Sequence, residues 1–163
     1  MLIQLKNKDT LNFDDFLFQC DIGKKVIRSK KREGYYSTPK GIFSIKYLYY
    51  RSDRLIKPET KIIVKKLKKN MGWCNDPKSK KYNSLVRINE KIRHEKMYRR
   101  DHKYDIIIVI DYNMKKPIPY KVSAIFIHLT KNYKPTAGCI ALKKKDLLIL
   151  LKIINKKTKI KIN

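Results

Sequence analysis

Apolar residues along this chain gather into short strand-like runs far more often than into helical stripes. Residues Leu2 to Leu5 and Leu11 to Cys20 alternate loosely, with Phe13, Phe16 and Phe18 supplying the apolar mass. After a turn-rich stretch at residues 34–41, Ile42 to Tyr50 reads as an aromatic-rich strand, and Lys61 to Leu67 as another, centred on Ile62, Ile63 and Val64. Tyr104 to Tyr112 contains five consecutive β-branched residues, Ile106 to Ile110, the pattern of a strand covered on both faces. Val122 to Leu129 is similar: alternation sets Ala124, Phe126 and His128 on one face and Ile125, Ile127 and Leu129 on the other. One helix is predicted, capped by Asp146 and carrying a wide stripe of Leu147, Leu148, Leu150, Leu151, Ile153 and Ile154. Lys156 and Lys157 suit its C-terminal end, and Ile160 to Ile162 predicts a last strand. The expectation is a single mainly β (α+β) domain over residues 1–163, without repeats, with one helix in its C-terminal region.

Residues 68–103 break this pattern. They are mostly polar, and a stretch this long without clear strands reads as a functional loop or lid inserted into the domain. Trp73, His94, Tyr98, Arg99 and Arg100 within it, with Tyr133 further on, are the candidates for gripping a ligand. The competing reading has Trp73 plugging the core and the charges facing water.

Composition narrows the class. With 163 residues, 42% hydrophobic and 10% aromatic, the chain can bury a real core and is not a disordered basic tail. No apolar run reaches the roughly 18 residues needed to cross a bilayer, so no membrane span is expected. The first residues, Met1-Leu2-Ile3-Gln4-Leu5-Lys6, lack the apolar stretch of a secretory signal. Either the protein stays inside, or its export signal is missing from this start site, or export takes another route. The formal charge of +27 comes from 41 Lys and Arg against 14 Asp and Glu. It favours anionic partners, but the lysines are spread over the whole chain, and their abundance beside Ile and Asn fits A/T-rich codons as well as it fits a functional basic face. Tyr47-Leu48-Tyr49-Tyr50-Arg51 is only a weak nucleic-acid-binding pattern.

Candidate chemistry concentrates at one place. His128 closes a hydrophobic strand, and Cys139 follows eleven positions later, just after Gly138. A free thiol is a poor nucleophile until a base or a positive field favours the thiolate, and this pair can supply both thiol and base. Gly138 lets backbone approach a substrate and offers N–H groups to an oxyanion, and Thr136 adds a hydroxyl nearby. Cys20, Cys74 and Cys139 form no disulfide framework. Cys20, Cys74, His94 and His102 have no tight metal-ligand spacing, so no metal is expected. Phosphate-binding loops and a Gly-x-Ser-x-Gly elbow are missing from the sequence.

Ser123-Ala-Ile-Phe-Ile-His128 with Thr136-Ala-Gly-Cys139-Ile-Ala-Leu142 resembles the His…[Ser/Thr]-x-Gly-Cys signature of the L,D-transpeptidase catalytic domain, the YkuD-type family. Glu33-Gly34 with Thr38-Pro39-Lys40-Gly41 is similar to that family's early turn, and Gly72 to Pro77, Tyr82-Asn83 and His94 to Asp105 look like a compact branch. The resemblance implies a β sandwich with a long lid-like loop and a cysteine in a groove. It further implies a transferase that builds peptidoglycan cross-links between donor and acceptor stem peptides through a cysteine acyl-enzyme, without a cofactor. Cys139 would be the nucleophile, His128 its base oriented by a backbone carbonyl, and N–H groups around Gly138 and Cys139 the oxyanion hole. The periplasm or cell wall would be its place of action, and a monomer its form. Two departures stand out: Tyr35 occupies a position that usually carries Asp, and Ala141 replaces the arginine common two residues after the cysteine. Carboxylate recognition would then fall to Arg99, Arg100 or lysines of residues 68–103. The alternatives are a hydrolytic relative, a peptidase or amidase with the same site, and a basic nucleic-acid-binding module.

Overall fold

The computed structural model describes residues 1–28, 36–88 and 91–163. The Glu33-Gly34 turn and Tyr35 lie outside the described residues. In chain order the strands are β1 (Leu2–Asn7), β2 (Thr10–Phe13), β3 (Phe16–Asp21), β4 (Lys25–Arg28), β5 (Ser37–Pro39), β6 (Gly41–Tyr50) and β7 (Ile63–Lys66). Then come β8 (Met71–Cys74), β9 (Leu85–Arg87), β10 (His94–Lys96), β11 (Ile106–Ile110), β12 (Phe126–Leu129) and β13 (Ile140–Leu142). The helix α1 (Lys144–Ile153) and the strand β14 (Lys159–Ile162) complete the chain. The mainly β class with one helix near the C-terminus is therefore what forms.

The main sheet has nine strands in the order β11-β12-β13-β3-β2-β1-β14-β6-β7, and β11 also pairs with β6, so the sheet closes on itself. The two layers expected of a sandwich are thus joined into a barrel-like circuit. β6 is long enough to hold β14 along Gly41–Ser44 and β7 along Tyr47–Tyr50 while β11 runs antiparallel along its other edge. Closure leaves few unpaired edges to template aggregation.

β11 explains why the core has two compartments. Ile106, Ile108 and Ile110 enter one cluster with Ile3, Leu5, Phe13, Leu48 and the helix residues Leu147, Leu150 and Leu151. Ile107 and Val109 enter a second cluster with Tyr49, Leu67, Trp73, Met97, Phe126 and Cys139. All five β11 side chains are at most 1% exposed, so both faces are covered, as the run of β-branched residues predicts. The helix begins one turn earlier than expected. Lys143 is its N-cap and makes no side-chain cap bond, and Asp146 sits inside the first turn. There its charge complements the helix dipole instead of capping.

Residues 68–103 are not a stretch without strands. They contain a small sheet of order β10-β8-β9, with Trp73 paired to Glu95 and Leu85. The sheet lays Trp73 and Met97 over the second cluster, which offsets the cost of ordering so polar a segment. An arginine clamp fixes the remainder. Arg51 donates to the Arg99 carbonyl at 2.7 Å and grips Asp53 through two nitrogens. Arg54 donates to the Arg100 and Asp101 carbonyls and to Asp105.

Asn83 joins the small sheet to the main one. Its Oδ1 accepts from Trp73 Nε1 at 2.9 Å and from the Ala124 N–H at 3.0 Å, while its Nδ2 donates to the Tyr112 and Asn113 carbonyls. Replacing Asn83 by Ala strands two buried donors and two carbonyls. Asn83→Ala is expected to lower unfolding stability by about 2–4 kcal/mol, read from urea melts; a loss below about 0.5 kcal/mol would contradict this role.

Candidate active site

The parallel pairing of β12 with β13 places the two key side chains. Its register sets His128 opposite Ala141 and Ile127 opposite Ile140. Cys139 immediately precedes β13, two residues before Ala141, so period-two alternation brings its side chain to the His128 face, one step along. Phe126 and Cys139 share the second cluster on that face. His128 and Cys139 are buried at 6% and 7% exposure, yet both line one groove of about 380 Å³.

His128 is held by its own strand. Its Nδ1 lies 2.9 Å from the Leu129 carbonyl, and its ring meets the Tyr104 ring edge-on at 5.1 Å. A neutral imidazole bonded to a carbonyl through Nδ1 carries its proton there, which leaves Nε2 as the basic nitrogen. Burial pushes the imidazole down to about 4; the Leu129 carbonyl opposes this, and the nearby Lys103 and Arg99 charges add to it. Burial likewise pushes the Cys139 thiol up to about 12, with the Glu95 charge adding to the effect. Both groups are therefore neutral at rest, and the thiol donates to the Ala124 carbonyl at 3.2 Å. Ala124 itself takes a left-handed backbone conformation, φ 53°, fixed by the Asn83 bond to its N–H.

The turn before Cys139 is built around two glycines. Gly138 has φ 142°, a region that side chains rarely enter, and a Cβ there would stand 3.0 Å from the Ser37 carbonyl. Its N–H donates to Thr136 Oγ1 at 3.1 Å, and that hydroxyl donates to the Cys139 carbonyl at 2.6 Å. In this resting state Thr136 thus locks the turn, and the Gly138 N–H is already engaged instead of waiting for an oxyanion. Gly23 bridges Thr136 and donates its N–H to Thr38 Oγ1, while a Cβ on Gly23 would fall 2.4 Å from the Tyr36 carbonyl. The early Thr38-Pro39 motif and the cysteine turn, distant in sequence, meet at this residue.

Of the other candidates, Arg99 reaches the groove, its guanidinium 5.1 Å over the Tyr104 ring and bound to Asp101 at 2.7 Å. The remainder lie elsewhere. Trp73 is 1% exposed and packs edge-on against Phe126, so it fills the core. Tyr98 stacks on Arg51 and donates to Asp53. Arg100 is exposed and presents its carbonyl to Arg54. His94 bonds the Ile92 carbonyl, and Tyr133 lies beneath Lys143. Lys103, one of the lysines of residues 68–103, also lines the groove, whereas sequence reasoning missed Glu95, Tyr104, Lys131 and Lys134, all of which line it. Only the excess of lysine and the polarity of residues 68–103 hinted at them. Among the described residues, no group of three or more His, Cys, Asp or Glu could hold a metal ion, and no helix is long and apolar enough to cross a membrane.

The depressed His128 fixes a pH dependence of folding. The unfolded chain takes up a proton near the ordinary 6.5, whereas the folded protein resists it down to about 4. Stability from this group is full above pH 6.5 and is lost as pH falls towards 4, by about 3 kcal/mol. Chemical denaturation between pH 7 and 4 is expected to show that loss, and His128→Gln to reduce it by the same amount. Gly138→Ala is expected to abolish thiol-dependent activity and cost about 1–3 kcal/mol through backbone strain, measured by activity and thermal melts.

No curated protein and no solved structure matches this chain. A family model does, that of YkuD, the L,D-transpeptidase catalytic domain, and it spans residues 3–162. The family consists generally of cysteine-dependent transpeptidases that act on cell-wall peptidoglycan. With essentially its whole length matched and a buried imidazole and thiol lining one groove, the chain belongs to the YkuD family of L,D-transpeptidase catalytic domains.

Proposed function

We propose that this protein cross-links peptidoglycan stem peptides as an L,D-transpeptidase, with Cys139 as nucleophile and His128 as base. The observation that carries the reading is the shared strand face and shared groove of these two residues, with Nδ1 of His128 bound to the Leu129 carbonyl. His128 Nε2 removes the Sγ proton as sulfur attacks the carbonyl at the L-centre of diaminopimelate in the donor stem. The proton then passes to the departing D-amino acid nitrogen, leaving a thioester on Cys139. An amine from a second stem attacks the thioester and gives its proton to His128, which returns it to the sulfur as the C–S bond breaks.

Arg99, Lys103, Lys131 and Lys134 line the groove and suit the carboxylates of such stems. They stand in for the arginine missing at Ala141, which is 1% exposed and contributes only a small side chain to the floor. The substrate puts the site of action in the periplasm or cell wall.

Incubation with purified muropeptides, read by mass spectrometry, is expected to give cross-linked dimers. Cys139→Ala abolishes them, and His128→Gln lowers the rate on the order of 10²–10⁴-fold. Trimmed monomers alone would identify a hydrolase instead, and unchanged substrate would sink the assignment. The pH profile is a second check. A base that stays neutral down to about 4 keeps kcat/KM high as pH falls from 7 to 5, with the acid limb below that range. An acid limb centred near 6.5 would contradict it. Iodoacetamide is expected to alkylate Cys139 more slowly than a free cysteine at pH 7, because burial pushes its thiol up to about 12.

A further inference from the structure

The groove is lined by Arg99, Lys103, Lys131 and Lys134, and against these cations stands a single carboxylate, Glu95, among the described residues. Its position is specific. β10 pairs Glu95 with Trp73 of β8, so the small sheet carries it to the groove wall. Its Oε1 accepts from the Tyr104 hydroxyl at 2.5 Å, and the Tyr104 ring packs edge-on against His128. Arg99 comes only to 4.0 Å of Glu95, because its short contacts go to Asp101 at 2.7 Å. The side chain remains 31% exposed toward the groove. This carboxylate is costly to the first half of the reaction, since its charge disfavours the Cys139 thiolate. A protein with 41 Lys and Arg had cations to place there instead.

The second half-reaction brings a cationic group to the same sulfur. We propose that Glu95, held by the Tyr104 hydroxyl, is the acceptor subsite: it binds the ammonium of the incoming stem and positions that nitrogen for attack on the Cys139 thioester. This inference rests on the transpeptidase reading above. The ammonium releases its extra proton to solvent before attack. The neutral nitrogen then forms the C–N bond, the C–S bond breaks, and one of the two amine protons travels through His128 to the sulfur while the other stays on the new amide. Glu95 contributes charge and position, not a proton, and by favouring amine over water it biases the thioester toward cross-linking.

The test uses an isotope-labelled stem tetrapeptide as donor and an unlabelled tripeptide ending in diaminopimelate as acceptor, which lacks a terminal residue to expel. Mass spectrometry reads the ratio of labelled cross-link to labelled trimmed monomer as acceptor concentration is varied. In Glu95→Gln the ratio is expected to fall at least five-fold, through a raised KM for the acceptor. Glu95→Asp, which keeps the charge, recovers part of it, and Tyr104→Phe, which frees the carboxylate from its tether, falls between. Hydroxylamine, a neutral nucleophile near pH 7.5, is expected to capture the thioester equally well against water in the wild type and Glu95→Gln. An unchanged ratio in Glu95→Gln, an effect confined to the donor KM, or an equal loss with hydroxylamine would overturn the subsite. Absence of labelled cross-link in the wild type, with or without labelled trimmed monomer, would instead defeat the transpeptidase reading itself.

Discussion

The parallel contact between β12 and β13 is the constraint on which the site depends. Parallel neighbours cannot be joined by a tight hairpin, so the chain must leave the sheet after Leu129 and return at Ile140. The return segment, residues 130–139, becomes one wall of the groove and ends in the cysteine turn. That segment is short for a crossover, and its compactness shows in the left-handed conformations of Asn132 and Tyr133 and in the extended positive φ of Gly138. Thr130 secures its start through Asp21 at 2.5 Å, and Thr136 secures its end. Slipping the β12–β13 register by one residue would turn Cys139 into the barrel interior and leave His128 facing a strand without a thiol.

Support for this pairing comes from β11, whose two apolar faces tie the barrel interior to the cluster beneath the groove. The floor of the site is accordingly packed from both sides, and the polar wall contributed by residues 68–105 is attached to it at a few identifiable points. The Leu129 N–H donates to the Lys103 carbonyl, Asn83 holds Trp73 and Ala124 together, and Arg51 and Arg54 grip the backbone between Arg99 and Asp105. The arginines thus act in two ways. Arg51 and Arg54 satisfy carbonyls that would otherwise lie unpaired in an irregular strap, and Arg99, carried by that strap, faces the groove.

Much of this was legible in the sequence where local pattern and tertiary burial agree. The five β-branched residues of β11, the leucine stripe of α1 and the alternation through His128 each determine their own environment. The His128–Cys139 pair was visible for the same reason, since a strand end and a glycine turn are local features. The short strands β8, β9 and β10 were not legible, because Met71–Cys74, Leu85–Arg87 and His94–Lys96 are only three or four residues long, too short to show an alternating pattern, and are set in a polar segment. Their pairing is justified by long-range burial of Trp73 and Met97, which no window of sequence reveals. Trp73 and Tyr98 show why aromatics in a polar segment leave two readings open from sequence: Trp73 takes the core-filling one, and Tyr98 completes the arginine clamp. Glu95 and Tyr104 escaped notice because they become groove residues only once that strap is folded against β12.

The electrostatics of the groove give burial a chemical purpose. A thiol and an imidazole that are both neutral at rest are protected from oxidation and stray alkylation, since the thiolate is the reactive form. The cost is a weak base, made weaker by Lys103 and Arg99. An anionic stem peptide laid against those cations would offset their charge, and Coulombic attraction at low effective dielectric strengthens as the ligand expels water. The imidazole would then accept the thiol proton more readily with substrate bound than without it. In such a site, burial keeps the thiol protonated, and the basic lining acts on the other partner by weakening the imidazole as a base.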